Sequence, residues 1–447
     1  MNDMSDLTSG RRRFLAQAGG AAVAAGMMGA AGTAWGQESA SPAGSTAAGQ
    51  PAKDLPEPIT LPHMQEGKDD KTEMPVQLGP DQRVGIAVVG VGRLTLEEIL
   101  PAMAQSKRCK VTALVSGDAE KARRVAQMYG VPQDGLYSYE NFDSIRDNPN
   151  VHAVYIVLPN SMHHEYTLRA ARAGKHVLCE KPMANSVKEC EEMIEACKQA
   201  KRLLMIAYRI QYEPMNRQVM QWVRDGKEVG PIKLLEMANC QNQSKQEVDQ
   251  WRHKKALAGG GALPDIGLYC LNTARYLLGE EPVEVSATVH TNPDDPRFKE
   301  VEETILWTMR FPSGVLAQCM SSYSTFNSKR YRVLGEKGYL EMDPAFAYKG
   351  LQLKRSKLAE GTDAILAPGI EQLAAAEKNQ FALEMDHFAE CVVTGEQPYT
   401  PGEEGLQDQR IMEVIYEAAR TGSSVKLREV KEKDAFRGEA PSNVEST

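Results

Sequence analysis

Three side chains of this sequence are of types that can transfer a proton. Lys181 lies in a Glu-Lys-Pro segment directly after the apolar run at 176–179, and Asp265 and Tyr269 lie four residues apart behind the glycines at 259–261. Residues four apart share one face of a helix. A phenol with a pKa near ~10 is a poor base at neutral pH, and a neighbouring ammonium group lowers that pKa. The pattern predicts acid–base chemistry in which Lys181 lowers the pKa of Tyr269, although a surface lysine and a packed tyrosine would leave the same pattern.

A second set of residues has the spacing of a phosphate-binding turn. The apolar run Val84–Val89 ends in Gly90-x-Gly92, so the backbone can approach a pyrophosphate at the N-terminus of the following helix. Thr95 stands where the usual third glycine would be. A simple tight turn would give the same residues, but the position at the start of alternating strands and helices favours a dinucleotide site.

The end of the next strand bears on which dinucleotide binds. The run at 111–115 is followed by Ser116 rather than by the carboxylate that usually binds the ribose hydroxyls of NAD, with Lys121 and Arg123 downstream. A hydroxyl group tolerates a 2′-phosphate and a cation neutralises it. NADP is therefore favoured over NAD, with Asp118 as the alternative ribose ligand if the strand ends two residues later.

These residues need strands and helices that bring them together. After the first run, strand-like segments alternate with helix-like ones up to Tyr208, which is typical of a doubly wound parallel sheet. Pro182 allows a cis peptide bond that would fix the turn after Lys181. The predicted strands are 111–115, 153–158, 176–179 and 203–207, and the predicted helices are 119–129, 164–173 and 187–200.

The pattern after Tyr208 differs from the first half. Alternating strands at 283–290, 304–311, 315–322 and 330–342 precede two late helices at 381–393 and 404–420. Such alternation is typical of an antiparallel sheet with one packed face. The predicted fold class is α/β, with an N-terminal Rossmann doubly wound parallel sheet at 84–208. A C-terminal α+β domain with a largely antiparallel sheet is expected at 209–427. This domain would contact the substrate and other subunits, and its late helices would pack back on the first domain. Residues 428–447 would form a tail.

The composition favours small-molecule chemistry. The 447 residues carry a formal net charge of −8, whereas a nucleic-acid partner needs a basic face that nothing in the sequence suggests. The eight cysteines lack paired C-x-x-C spacings, which indicates small core residues. The histidines at 152, 163, 164 and 176 lack a ligand spacing with acidic or thiol partners, so no metal site is predicted.

The first 36 residues have the features of a twin-arginine signal. Arg11-Arg12-Arg13 precedes a weakly hydrophobic run at 16–34 whose many Gly and Ala residues disfavour a membrane helix. We therefore expect export by the twin-arginine machinery to the periplasm, with no membrane anchor afterwards. Residues 37–83, rich in proline and charge, predict an extended arm that is either a disordered linker or packs on its own or a neighbouring subunit.

Together these segments resemble the glucose-fructose oxidoreductase branch of the family that also contains inositol dehydrogenases. The resemblance runs from about residue 85 to residue 425 and includes the signal and the arm. Tyr269 is specific to the branch, because the broad family usually has histidine there. The most specific segments are 113–117, 158–161, 179–183, 257–261 and 265–269.

The resemblance implies a tightly bound NADP, oxidation of an aldose such as glucose at C1 to a lactone, and reduction of a second sugar such as fructose to a polyol such as sorbitol. It also implies a homo-oligomer, a dimer or a tetramer. Lys181 and Tyr269 would be catalytic with Asp265 in support, and Tyr208 would join Lys181 and Tyr269 at the substrate. The implied cofactor-binding residues are Gly90, Gly92, Arg93, Ser116, Lys121, Pro159, Asn160, His163, Glu180, Lys181, Trp251 and Arg252.

A retained cofactor predicts a particular cycle. Because the periplasm holds no pool of nicotinamide nucleotide, the cofactor would have to be re-oxidised in place, which predicts a ping-pong reaction of two sugars. Two alternatives stay open: a sugar or polyol dehydrogenase with exchangeable NAD(P), and a non-catalytic sugar-binding protein on the same fold. The glycine loop continues Arg93-Leu94-Thr95, where the branch has lysine, an aromatic residue and alanine, so the cofactor contacts can differ.

Overall fold

The computed structural model describes residues 83–358, 369–373 and 377–441. The predicted signal at 1–36 and all of the predicted arm except Arg83 lie outside these ranges. Within the described residues, no helix combines the length and apolar composition that crossing a bilayer requires.

The N-terminal half is a parallel sheet, as the sequence predicts. Its six strands are β1 (Val84–Val89), β2 (Cys109–Val115), β3 (Leu136–Tyr137), β4 (Ala153–Ile156), β5 (His176–Glu180) and β6 (Leu204–Ala207). They stand in the order β3-β2-β1-β4-β5-β6, and each neighbouring pair is parallel. This is a doubly wound sheet, whose strand order reverses beside β1.

Helices cover both faces of this sheet. They are α1 (Leu100–Gln105, after a π-helical turn at Thr95–Ile99), α2 (Ala119–Tyr129), α3 (His163–Arg172) and α4 (Val187–Gln199). The side chains of Asp118 and Ser186 accept hydrogen bonds from backbone N–H groups in the first turns of α2 and α4. Such caps pair N–H groups that a helix N-terminus otherwise leaves without a partner, so both helices begin where the sequence predicts.

The second sheet is mixed but largely antiparallel, which confirms the predicted fold class. Its strands are β7 (Ile232–Asn242), β8 (Glu284–His290), β9 (Thr304–Arg310), β10 (Leu316–Ser322), β11 (Ser324–Gly335), β12 (Gly338–Met342), β13 (Leu353–Lys357), β14 (Glu371–Leu373) and β15 (Val425–Lys426). Their order is β14-β13-β12-β11-β7-β10-β9-β8-β15, and β7 with β10 is the parallel pair. One face is packed against helices, and on β9 buried and non-buried residues alternate.

The remaining helices join the two halves. They are α5 (Pro214–Asp225), α6 (Lys255–Ala258), α7 (Leu268–Leu278, after a π-helical turn at Leu263–Gly267), α8 (Gln380–Thr394) and α9 (Gly402–Thr421). Phe381, Met385 and Phe388 of α8 pack in one core with Ile86 and Val88 of β1, so α8 returns to the Rossmann sheet. This helix thereby joins the C-terminal part of the chain to the core of the first domain.

In the C-terminal half of the chain, the structure differs from the sequence prediction in one predicted strand and in elements that were not predicted. The run predicted at 330–342 is a hairpin, because β11 ends at Gly335 and β12 begins at Gly338. The long strand β7 and the helix α5 were not predicted. In β7 residues 235 and 237–240 are buried, so its pattern does not alternate as an edge strand would.

The C-terminal segment packs on the body of the protein. Arg437 is buried and donates hydrogen bonds to Glu404 of α9, at 2.8 Å from Nη2 to Oε1. Asp434 accepts from Arg224 of α5, and the N–H of Gly438 donates to the carbonyl of Tyr399. Residues 434–438 of the predicted tail are therefore an integral part of the fold.

Candidate active site

A cleft lies at the carboxyl ends of the parallel strands, where open α/β sheets bind ligands. Including its open mouth, it holds about 1300 Å³. The second domain closes its other side with the segments around 251 and 265 and with the start of α8. The predicted site residues that line it are Gly90, Gly92, Arg93, Ser116, Lys121, Pro159, Asn160, Glu180, Lys181, Trp251, Arg252, Asp265 and Tyr269.

The glycine turn has the shape that a bound phosphate requires. Gly90 has φ of +100°, and a Cβ there would lie 2.2 Å from the carbonyl oxygen of Val157. Apart from its two chain neighbours, no described residue has an atom within 4 Å of a Cβ built on Gly92, so the described residues leave room beside the backbone there. Thr95 replaces the third glycine, and its hydroxyl donates to the carbonyl of Gly90 at 2.6 Å, which fixes the turn. The residues present thus fit a pyrophosphate against the backbone.

The end of β2 carries the features that the sequence associates with NADP. The Ser116 hydroxyl accepts from the N–H of Asp118 at 3.1 Å, and one Asp118 oxygen accepts from the N–H of Lys121 at 3.0 Å. Asp118 is therefore the N-cap of α2. One oxygen of Asp118 is committed to the helix, but Asp118 also lines the cleft, so it stays the alternative ribose ligand.

Asp265 is the centre of a charged network at the inner end of the cleft. Its Oδ2 accepts from Arg252 Nε at 3.1 Å and from the Tyr323 hydroxyl at 2.8 Å. Lys181 Nζ lies 3.8 Å from Oδ1 and donates to the Asp265 backbone oxygen at 2.6 Å. Burial acts to raise the pKa of Asp265, but Arg252 and Lys181 outweigh it and the pKa is lowered. Burial lowers the pKa of Lys181, and Asp265 opposes this.

The peptide bond between Lys181 and Pro182 is cis, which confirms the prediction of a cis bond after Lys181.

Tyr269 lies beside Lys181, but the two groups meet differently from the prediction. Lys181 Nζ lies over the phenol ring, 4.6 Å from its centroid, and the cation that donates to the Tyr269 hydroxyl is Arg209, at 3.2 Å from Nε. Burial raises the pKa of Tyr269, and Arg209 is the main group that opposes this rise. The prediction that Lys181 lowers this pKa is therefore wrong, because burial dominates and the hydrogen-bonded cation is a different residue.

Arg209 was missed as a site residue, although a signal for it exists. It comes two residues after β6, much as Lys181 comes directly after β5, and strand ends on this edge of the sheet face the cleft. The guanidinium group donates to backbone oxygens of Phe346 and Ala347 and to the side-chain oxygen of Gln380. These partners hold the group rigidly and are all uncharged, so its charge remains available to Tyr269.

Replacing Arg209 with methionine should move the pH dependence of sugar oxidation to higher pH. Loss of the cation removes the main group that opposes burial, so the pKa of Tyr269 rises further and the rate reaches half its maximum at a higher pH. The measurement is kcat/KM against pH, which reports the free enzyme. The control is Arg209→Lys, which keeps a charge and should shift the profile less. Equal profiles for the methionine variant and wild type would contradict this role.

Two buried carboxyl groups lie at the cleft, one in its lining and one behind it. Glu180, which lines it, accepts from the hydroxyl of the fully buried Tyr155 at 2.8 Å. Glu384 of α8 is fully buried, and within the described residues neither of its oxygens has a hydrogen-bond partner. Burial, then the charge of Glu180, raise the pKa of Glu384 well above its usual value. Burial therefore favours the protonated form of Glu384, and it also raises the pKa of Glu180.

Two predicted site residues do not line the cleft. His163 is fully buried, and its ring nitrogens lie 2.9 Å from the backbone oxygens of Pro182 and Leu158. It joins the loops after β4 and β5 beneath the cleft. Tyr208 lies behind Lys181 and Tyr269, at a separate small cavity of about 240 Å³, so its hydroxyl is not placed for substrate in the main cleft.

The cysteines lie in the core, as the sequence predicts. All eight cysteines are free and buried, as expected for small core residues. Across 83–358, 369–373 and 377–441, no group of three or more His, Cys, Asp or Glu side chains is placed to hold a metal ion.

Comparison with known families gives the class and then the family. Residues 84–208 match an oxidoreductase family with an NAD-binding Rossmann fold, and residues 224–427 match the C-terminal alpha/beta domain of the same family. The first domain is therefore an NAD(P)-binding Rossmann domain, and the protein is an oxidoreductase of the sugar-dehydrogenase type. The chain belongs to the GFO/IDH/MocA oxidoreductase family.

Individual relatives act on sugars. The chain is 35% identical to D-xylose 1-dehydrogenase [NADP(+)] of Haloarcula marismortui, over 81% of this chain and 98% of that protein. It is 46% identical to the aldose-aldose oxidoreductase from Caulobacter crescentus, whose structure with glycerol covers 77% of this chain and all of its own, with a TM-score of 0.73. A 3-ketoreductase from Actinomadura kijaniata, in complex with NADP and TDP-benzene, is 26% identical with a TM-score of 0.64, over 76% of this chain and 98% of that chain.

Proposed function

We propose that this protein holds NADP tightly, oxidises a glucose-like aldose at C1 to a lactone and reduces a second sugar to a polyol in a ping-pong cycle. The observation that carries the proposal is the group of Lys181, Asp265, Tyr269 and Arg209 at the inner end of a dinucleotide-sized cleft. The Lys181 ammonium group can donate to a sugar hydroxyl, and the phenolate form of Tyr269 can accept from the same hydroxyl. The NADP named for the Haloarcula relative and bound to the Actinomadura relative supports the cofactor.

The cofactor would be held by the residues described above. The Gly90–Gly92 turn fits the pyrophosphate, Ser116 and Lys121 fit the adenosine phosphate, and Glu180 with Trp251 borders the part of the cleft nearer Lys181. When bound, NADP supplies the acceptor and donor of the two electrons that the sugars exchange.

Side chains of the protein would transfer the proton of the sugar hydroxyl. The C1 hydroxyl of the aldose binds between Lys181 Nζ and the Tyr269 oxygen, and Tyr269 takes its proton as the carbonyl forms. Arg209 stabilises the phenolate form of Tyr269, since it already donates to that oxygen. Asp265 keeps the Lys181 ammonium group in place through the 2.6 Å bond to its backbone oxygen. The same groups return the proton when a carbonyl sugar occupies the site.

The preference for NADP should reverse when Ser116 becomes aspartate. A carboxylate at this strand end repels a 2′-phosphate and can accept from the ribose hydroxyls of NAD, so the ratio of the two affinities should change at least about 10-fold in favour of NAD. The measurement is the nucleotide released from denatured protein and the dissociation constants of the reloaded protein. Ser116→Ala is the control, which should weaken NADP without improving NAD. An unchanged preference in Ser116→Asp would show that the phosphate lies elsewhere.

The two-sugar cycle rests on a relative and on the signal. The Caulobacter relative is named for two aldose substrates, which supports sugar as both donor and acceptor. A glucose-like donor with a fructose-like ketose or a second aldose as acceptor follows for this chain. The alternative is a dehydrogenase with exchangeable cofactor, and the xylose dehydrogenase relatives favour it.

The two candidates differ in where an isotopic label goes. Protein purified without nucleotide should pass deuterium from C1 of labelled glucose to the polyol made from unlabelled fructose or xylose, and initial rates should give parallel double-reciprocal lines. A label that reaches the polyol only after NADP is added, and that also appears in the free nucleotide, would favour the exchangeable cofactor.

Export and assembly belong to the same proposal. Location in the periplasm rests on the twin-arginine pattern at 11–13. A homo-oligomer is supported by the open face of the second sheet, where Leu306 and Leu316 are 45% and 49% exposed. Apolar side chains grouped on an open sheet face are typical of contacts between subunits.

A further inference from the structure

Lys329 lies on β11 of the second domain, on the face of the sheet that packs against the turn carrying Asp265. It pairs in register with Asn239 of β7, whose side chain donates to the backbone oxygen of Ile266, in the turn that carries Asp265. Directly paired residues on neighbouring strands have their side chains on the same face. Lys329 therefore lies on the face of the sheet that covers the π-helical turn before α7.

Contacts between aromatic rings also connect this face of the sheet to Tyr269. Tyr331, two residues along β11, packs against Phe346 with ring centroids 6.0 Å apart, and Phe346 lies 5.8 Å from the ring of Tyr269. Alternate residues of a strand share a face. Lys329 thus shares its face of the sheet with Tyr331, and Phe346 connects Tyr331 to Tyr269 through two ring contacts.

The ammonium group of Lys329 is not neutralised by the surrounding protein. Within the described part of the chain it has no hydrogen-bond or ion-pair partner, because the nearby carboxylate, Asp265, is taken by Lys181 and Arg252. Burial lowers the pKa of Lys329, Arg209 lowers it further, and Asp265 acts in the opposite direction. These causes place Lys329 within electrostatic range of both Arg209 and Asp265.

Lys329 is thus a half-buried cation without a partner among the described residues, on the sheet face that packs against the turn carrying Asp265. We propose that Lys329 binds the substrate, by donating to an oxygen on the part of the sugar remote from the reacting carbon. This rests on the proposed function, since Lys181 and Tyr269 are then occupied with the reacting hydroxyl. The oxygen can be the hydroxyl of a hexose C6 or the carboxylate of a hexuronate, and a pentose lacks that carbon. Lys329 therefore selects six-carbon aldoses and their acids over pentoses.

The test compares three sugars on two variants of the full-length protein. KM is measured for D-glucose and D-xylose, and the inhibition constant of D-glucuronate is measured against glucose. In Lys329→Met, the glucuronate constant should rise about 10-fold or more, as for a lost hydrogen bond to a charged group, and the KM of glucose should rise several-fold. The KM of xylose should change less than about twofold, and kcat should stay the same. Lys329→Arg should restore most of the glucuronate affinity, and the exposed Lys299→Met is the control, expected to match wild type.

Each result bears on a stated claim. Equal changes for the three sugars, or a lower kcat with unchanged KM and inhibition constants, would overturn substrate binding by Lys329. Glucose that is oxidised equally well and with equal KM by wild type and Lys329→Met would overturn the role of Lys329 alone. Failure of the wild type to oxidise any sugar would overturn the proposed function, and the role of Lys329 with it.

Discussion

Replacing Tyr269 with phenylalanine should lower kcat for sugar oxidation by about 10²- to 10⁴-fold, the range that a positioned proton-transfer group contributes. The substitution removes the oxygen to which Arg209 donates and leaves the ring that packs against Phe346 and faces Lys181. Stability and cofactor content should therefore change little. The measurement is the rate of a single turnover with glucose, with nucleotide content determined on the same sample.

Tyr339→Phe is a matched control for this experiment, since Tyr339 lies on β12 beside Arg332 and away from the cleft. It should have the activity of wild type. A Tyr269→Phe protein with bound cofactor and more than about half of the wild-type rate would show that another group transfers the proton.

Replacing Lys181 with methionine should lower kcat by about 10²- to 10³-fold, the loss typical of one donor directed at developing charge. Methionine keeps most of the length of the side chain but cannot donate to the Asp265 backbone oxygen or to a sugar hydroxyl. Burial already disfavours the ammonium form of Lys181, and Asp265 favours it. Loss of the Lys181 cation also leaves Arg252 as the remaining ion-pair partner of Asp265 among the described residues.

Added ethylamine should restore part of the activity of a second variant, Lys181→Ala, because a small ammonium ion can occupy the space that the shortened side chain leaves. Lys188→Met serves as the control, since that side chain is 83% exposed on α4. If Lys181→Met turned over at the wild-type rate, or lost activity only because it lost the cofactor, the catalytic role assigned to Lys181 would be wrong.

Local patterns predicted most of the strands and helices around the site. The helix predicted at 119–129 has those bounds because Asp118 caps it and Gly130 ends it in the left-handed region. Likewise the strand ends predicted the positions of Gly90, Ser116 and Lys181 at the cleft, since parallel strands end on the same edge of a sheet. These features depend on neighbours in sequence.

The parts that sequence reasoning missed depend on distant contacts. Arg209 turns toward Tyr269 because carbonyl groups 137 and 138 residues away accept its hydrogen bonds. Glu384 is brought behind Glu180 because α8 returns to the Rossmann sheet, and nothing in the sequence near either residue indicates this. The strand β7 pairs in parallel with β10, which follows it by more than seventy residues, so no turn signal marks the pairing.

The most direct test of the proposed function is an absorbance spectrum of protein purified without added nucleotide, recorded before and after glucose and then fructose or xylose. A retained cofactor and a two-sugar cycle predict a band near ~340 nm that rises with glucose and falls with the second sugar. A spectrum without this band until NADP or NAD is supplied would contradict the retained cofactor and favour a dehydrogenase that exchanges it.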